Sequence, residues 1–462
     1  MAVRSTAFRP KFVSPSLVLR GGRYRLPPEG STRSAISVPW SEALFLSATL
    51  SLLFVFVYGL SNAVAAGRSD VGTWFFAWEL RIPFVPALIL PYMSIDLFFV
   101  GSFFLCEDRI ELRTHARRIA VAILAAGSVF LVFPLTTGYP RPEVSGWSGW
   151  LFEFLWSFDR PHNLAPSLHV ALASLLWPLY ARHTRGRLQW FLNGWFTLMV
   201  LSPLFTWQHH LLDVVTGAML GQVCIFAFPE RRDSALASSA AGNFRVARFY
   251  AYGSMVFAFL ALSLGSSPGS WRRLLLWPAV SLALIATAYL RGNSRIFRKK
   301  NGRLPISTCV VLGPYLCGAV VSRMFYRRRG KPWVEAAPGV FCGRLLTQRE
   351  ALAMRAMGIT GVVDLTAEYS ETRAFREMEY LNVPVLDLTK PSREQLDSTV
   401  AFITKHASRG GVYVHCALGV SRSVAAVAAY KASQRTELPI PPTQLVDRSH
   451  SAFCDTRRYS SQ

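Results

Sequence analysis

The sequence predicts a polytopic α-helical membrane domain of about eight spans followed by a small cytoplasmic α/β domain. Three observations predict it. Hydrophobic residues make up 51% of the 462-residue chain and charged residues only 17%, the balance of a membrane protein rather than a soluble one. Apolar runs near the length of a bilayer crossing recur through the N-terminal part, and basic clusters fall between alternate pairs of them. From residue 331 the pattern changes to short apolar strands alternating with helices.

Taken in order, residues 1–40 carry Arg4, Arg9, Lys11, Arg20, Arg23, Arg25 and Arg33 against Glu29 alone, a basic, disordered cytoplasmic tail. Spans are expected at about 42–66, 83–105, 119–138, 166–181, 188–207, 209–228, 249–266 and 274–290. Arg109 to Arg118, Arg182 to Arg187, Arg231 to Arg248 and Arg291 to Arg303 follow every second span. These clusters fall on the side of the N-terminus, which makes that side cytoplasmic. Arg272 and Arg273 fall on the other side. The segment 304–322 is apolar but short, with Gly313-Pro314 in its middle and basic flanks, and is expected to be re-entrant or interfacial. Residues 41–230 and 231–330 are thus two parts of the membrane region.

In 331–434, Val362 to Leu365, Val383 to Leu386 and Gly411 to Val414 read as strands, and Gln348 to Met357, Ser392 to Ala407 and Ser423 to Ala432 as helices. The proline-bearing stretch 435–462 reads as a disordered tail. The net charge of +23 clusters between apolar segments instead of interleaving with aromatics on a soluble face. The bilayer is therefore the expected partner and nucleic acid is not. Seven cysteines with no C-x-x-C pair argue against a disulfide framework or a zinc site.

Two stretches carry chemistry. In the first, Pro166-Ser167-Leu168-His169 opens one apolar run and His209-His210-Leu211-Leu212-Asp213 opens another. His209 and Asp213, four apart, share a helix face. The carboxylate can hold one ring nitrogen and leave the other to attack phosphorus, with His169 free to protonate the leaving group. His210, three from Asp213, is the rival in register. Under the orientation above, His169 and His209 both lie at extracytoplasmic helix ends.

These residues resemble the type 2 phosphatidic acid phosphatase superfamily. The Pro-Ser-Leu-His form is similar to the branch of inositol phosphorylceramide and sphingomyelin synthases. The resemblance implies catalytic His169, His209 and Asp213 and a lipid phosphate substrate. Ser202 matches the third motif, where Pro203 replaces its arginine, and Arg141-Pro142 matches the first, where Pro134 replaces its lysine. The phosphate clamp then rests on Arg141 and Arg160.

In the second stretch, His415-Cys416-Ala417-Leu418-Gly419-Val420-Ser421-Arg422-Ser423, a strand ends at the cysteine and a helix begins at the arginine. Backbone N–H groups of the loop, those of Gly419 and Ser421 included, cradle a phosphate dianion. The same field favours a thiolate, and Arg422 can grip two phosphoryl oxygens. This stretch resembles the dual-specificity branch of the protein tyrosine phosphatases, over about residues 332–433. The resemblance implies Cys416 as nucleophile, Arg422 as phosphate binder, Ser423 as an aid to thiolate departure and Asp387 as general acid, with Asp364 the alternative.

The expected protein is therefore a bifunctional membrane phosphatase: a His-based site for a lipid phosphate outside, and a Cys-based site for a phosphoprotein or other phosphomonoester, lipid included, in the cytoplasm. Neither chemistry calls for a metal or other cofactor. The alternative is a membrane-anchored protein phosphatase whose membrane domain only binds lipid.

Overall fold

A computed structural model describes residues 39–69, 71–140, 142–158, 162–229, 241–263, 271–327 and 331–435. The expected tails, apart from their last and first residues, lie outside the described residues, as do Arg141 and Arg160.

The N-terminal region is helical. Its elements are α1 (Trp40–Ala66), α2 (Ile89–Met93), α3 (Ile95–Ser102), α4 (Arg109–Val132), α5 (Gly146–Phe158), α6 (Leu168–His183), α7 (Gly186–Phe205), α8 (Leu211–Ala227), α9 (Phe244–Ser263), α10 (Leu276–Arg291), α11 (Ile306–Val311) and α12 (Gly313–Arg327). Each of the eight expected spans overlaps helix over part of its length among the described residues. Among the described residues, four stretches, Trp40–Ala66, Arg109–Val132, Phe244–Ser263 and Arg272–Arg291, are both long and apolar enough to cross a bilayer. The expectation near 83–105 breaks into 3-10 turns, α2 and α3, because Pro83, Pro86 and Pro91 interrupt the hydrogen-bond ladder. The helices that begin within the two histidine motifs are short: α6 has 16 residues and α8 has 17. The 304–322 segment is bent at Leu312 into α11 and α12, with Pro314 in the first turn of α12, where its missing N–H costs nothing.

Helices α6 and α8 start side by side. The backbone N–H of Ser167 donates to the Asp213 carbonyl at 3.0 Å. A Cβ on Gly217 would lie 2.3 Å from the Ser167 carbonyl oxygen, so this approach requires glycine. The surrounding core is built from α1, α3, α4, α6 and α7, around Phe103, Ile119, Phe130, Leu176 and Phe196.

The C-terminal region is a five-stranded sheet with helices α13 (Gln348–Ala356), α14 (Arg373–Arg376), α15 (Arg393–Ala407) and α16 (Arg422–Arg435). Strands β1 (Trp333–Ala337), β2 (Val340–Arg344), β3 (Gly361–Thr366), β4 (Glu379–Val385) and β5 (Val412–Cys416) lie in the order β1-β2-β5-β3-β4. Only β1–β2 is antiparallel. The central strands β3 and β5 are buried along their whole length, which is why they read as continuous apolar runs. Ser392 and Thr347 cap α15 and α13, each accepting from a backbone N–H three residues on.

Candidate functional sites

The carboxyl end of β5 delivers Cys416 into a loop that closes on the first turn of α16. Gly419 N–H points at Cys416 Sγ at 3.3 Å, and the Ser423 hydroxyl lies 3.4 Å from it. Gly419 has φ +77°, and a Cβ there would sit 2.6 Å from the Gly343 carbonyl carbon. The loop can thus pass over β2 only with glycine at this position. Burial pushes the Cys416 thiol up, but the Arg422 guanidinium, the Ser423 hydroxyl and the loop N–H groups outweigh it and hold the thiol below its usual value.

Arg422 is fully buried and bidentate on Glu368, at 2.7 and 3.1 Å. It also donates to the Val385 carbonyl at 2.8 Å and pairs with Asp387 at 3.1 Å. Asp387 therefore reaches the phosphate cradle from the loop after β4, next to Leu388 at φ +56°. Asp364 does not. It is buried behind the sheet end, where Lys299 Nζ, Tyr380 Oη at 2.6 Å and the Thr366 N–H at 2.8 Å hold its carboxylate. Burial would raise its pKa, but Lys299 and His415 hold it below the usual range.

Three members of this network escaped the sequence reading. Glu368 positions Arg422 from the turn after β3. Glu371 lies 2.7 Å from His415 Nε2, and with Asp364 it pushes the buried imidazole above its usual pKa, against the desolvation that lowers it. Lys299 comes from the helical region. Its side chain is buried, and Nζ donates to Asp364 and, at 3.0 Å each, to the Thr366 carbonyl and hydroxyl. Asp364, Glu371 and His415 bring three ligand-type atoms together, a cluster the sequence reading did not foresee. The Lys299 ammonium already supplies the cation there, so the set fits an ion-pair network better than a metal.

Other contacts tie the two regions at the same place. Asn243 Nδ2 donates to the Leu388 carbonyl at 2.8 Å, and Tyr369 Oη donates to the Ala319 carbonyl at 2.7 Å. Leu386 and Ala367 pack in one cluster with Phe226, Ala247, Tyr289 and Tyr315. The loops that carry Asp387 and Glu368 thus rest on the ends of α8, α9 and α10 and on α12.

In the helical region, His209 Nδ1 faces Asp213 Oδ2 at 3.6 Å, as their spacing predicts. The rival His210 is fully buried and otherwise engaged. Its Nε2 accepts from the Gly138 N–H at 3.0 Å, its Nδ1 faces Glu79 at 3.4 Å, and its ring is stacked between Phe75 and Tyr139. Glu79, buried in a 3-10 turn, also accepts from the N–H of Leu211, 132 residues downstream, at 2.7 Å. Nothing local in the sequence pairs it with His210. His169 is less free than expected. Its Nε2 donates to the Met199 carbonyl at 3.0 Å and its ring stacks on Tyr92, which leaves Nδ1 as the nitrogen able to exchange a proton.

The family described as "Dual specificity phosphatase, catalytic domain" matches residues 345–435. "Dual specificity protein phosphatase 12" of Mus musculus is 40% identical over 103 residues, and that of Homo sapiens 36% over 104 residues. Each match covers 21% of this chain and 30% of the relative, so the chain spans under a third of the length of these relatives. The match contains the Cys416 loop, Arg422, Glu368 and Asp387 and stops short of the helical region. Residues 345–435 are a dual-specificity phosphatase catalytic domain.

Proposed function

We propose that the chain is a membrane-embedded phosphoric monoester hydrolase whose Cys416 site faces the cytoplasm. The observation that carries this reading is the cradle itself: a thiol with lowered pKa, loop N–H groups, and a buried bidentate arginine meet at one point. The Cys416 thiolate attacks phosphorus. The S–P bond forms, the P–O bond to the leaving group breaks, and the Asp387 carboxylic acid protonates the departing oxygen. Arg422 and the N–H groups of Gly419 and Ser421 hold the charge on the equatorial oxygens. Water then attacks the phosphocysteine, Asp387 takes its proton, and the thiolate leaves with help from the Ser423 hydroxyl.

A second site at His169, His209 and Asp213 would act on a lipid phosphate from the opposite face. The paired starts of α6 and α8, the His209–Asp213 pair and the sequestration of His210 support it. Here His209 is the nucleophile and Asp213 orients it. Arg141 and Arg160 are the clamp expected from sequence and lie outside the described residues.

Two single variants of the purified full-length protein test the division. Cys416→Ser should abolish thiol-dependent, vanadate-sensitive hydrolysis of p-nitrophenyl phosphate. His209→Ala should leave that activity in place and remove only the thiol-independent turnover of phosphatidic acid. Loss of all turnover with either variant alone would sink the two-site reading.

A further inference from the structure

Helix α12 has two faces. On one, Ala319 packs with Leu345, Tyr369, Ala417 and Leu418, so it touches the phosphate loop itself. One turn later the Arg323 guanidinium lies 5.4 Å from the centre of the Tyr369 ring. Among the described residues no carboxylate pairs with Arg323, and its buried Nε has no acceptor. On the other face Val321, Met324 and Phe325 are 66%, 55% and 58% exposed. The helix starts against α10, which belongs to one of the stretches able to cross a bilayer. An apolar face, flanking Arg323 and Arg327, and packing against a helix able to cross a bilayer are the signature of a segment lying in the headgroup layer.

The mouth of the Cys416 site has the same character. Val420 in the phosphate loop is 47% exposed, and Leu388, beside Asp387, is 63% exposed. The loop contains no lysine. A rim of this kind favours a single phosphomonoester carried on an apolar body over a charged peptide or a polyphosphate.

We propose that the natural substrate of the Cys416 site is the phosphomonoester headgroup of a bilayer lipid, and that α12 is the surface that seats the site on the leaflet. This rests on the phosphatase reading of Cys416 and on the membrane placement of the helices. The apolar face of α12 enters the leaflet. Arg323 sits beside the loop as a cation for the anionic surface around the substrate, and Leu388 and Val420 meet the upper acyl region. The lipid departs as its alcohol, which stays in the bilayer, and inorganic phosphate leaves to the water.

The test uses the full-length protein carrying His209→Ala, so that only the cysteine site turns over. Its substrates are phosphatidylcholine vesicles doped with phosphatidic acid, a soluble phosphotyrosine peptide, and p-nitrophenyl phosphate. Phosphate release from the vesicles should depend on Cys416 and exceed that from the peptide. Val321→Asp with Met324→Asp should lower the vesicle rate at least about tenfold more than the p-nitrophenyl phosphate rate. Arg323→Gln, a milder change, should move the same ratio in the same direction. Cys416-dependent turnover of the peptide and of p-nitrophenyl phosphate without vesicle turnover would overturn the lipid assignment and leave the phosphatase reading standing. Equal losses on vesicles and p-nitrophenyl phosphate in both α12 variants would overturn the role of α12. No Cys416-dependent turnover of any of the three would fail the phosphatase reading itself.

Discussion

Cys416 sits among groups that make its negative charge affordable in a buried place. Burial opposes the thiolate, and Arg422 outweighs it with help from Ser423 and the loop N–H groups. The thiolate is therefore present at pH values below the ordinary thiol pKa of about 8.5. On p-nitrophenyl phosphate, kcat/KM should rise with pH along a limb that lies below that value. Arg422→Lys keeps a charge but loses the planar fork, so the limb should move to higher pH and the plateau should fall about 10²–10³-fold. A pH–rate profile checks both, with the rate of Cys416 alkylation as an independent reading of the thiolate. An unshifted limb would mean that Arg422 does not set the thiol. The loop from Cys416 to Ser423 was legible because its chemistry is local: strand, turn and helix start follow one another in the sequence. Glu368 was not legible. It meets Arg422 from a position 54 residues upstream, and a single glutamate after a strand carries no local signal. The same holds for Glu79 beside His210.

At the scale of elements, the sheet was readable where burial makes strands continuous and apolar. β3, β5, α13, α15 and α16 fall close to their expected places. The hairpin of β1 and β2 was missed because β1 is a half-exposed edge strand. Helix α5 was missed because 13 residues rich in Trp and Phe are too short to be taken for a span. Lys299 connects elements that the sequence keeps apart. It belongs to the turn after α10, yet it neutralises Asp364 at the end of β3, ahead of the turn that carries Glu368. Lys299→Met should leave a buried carboxylate without its ammonium partner, at a cost of about 3–5 kcal/mol. The expected outcome is a lower melting temperature together with a loss of kcat on p-nitrophenyl phosphate. Adding Asp364→Leu should recover much of the stability, because both charges are then gone. If Lys299→Met alone melted like the parent, the contact between helical region and sheet would not be an anchor.

At the scale of the molecule, α8 links the two candidate sites. His209 and Asp213 stand at its start, and Phe226 near its end packs with the loops that carry Glu368 and Asp387. Helix α8 has seventeen residues, about 25 Å along its axis. That the chain holds a helical region and an α/β domain was plain from composition and period. The number of crossings was not, because hydropathy counts apolar residues and does not see where prolines and helix-end histidines cut a run short. Nor could the sequence show that the phosphatase domain rests against the helix ends through Lys299, Asn243 and Tyr369 instead of hanging on a linker. The central claim, that Cys416 is a nucleophile in a working hydrolase, is tested most directly by trapping its intermediate. Full-length protein with Asp387→Ala, which slows hydrolysis of the intermediate, is mixed with p-nitrophenyl phosphate, quenched in acid and examined by peptide mass spectrometry. The account predicts one phosphoryl group on Cys416, absent in Cys416→Ser. Burst release of p-nitrophenol with the phosphoryl group on another residue, or with none on Cys416, would contradict it.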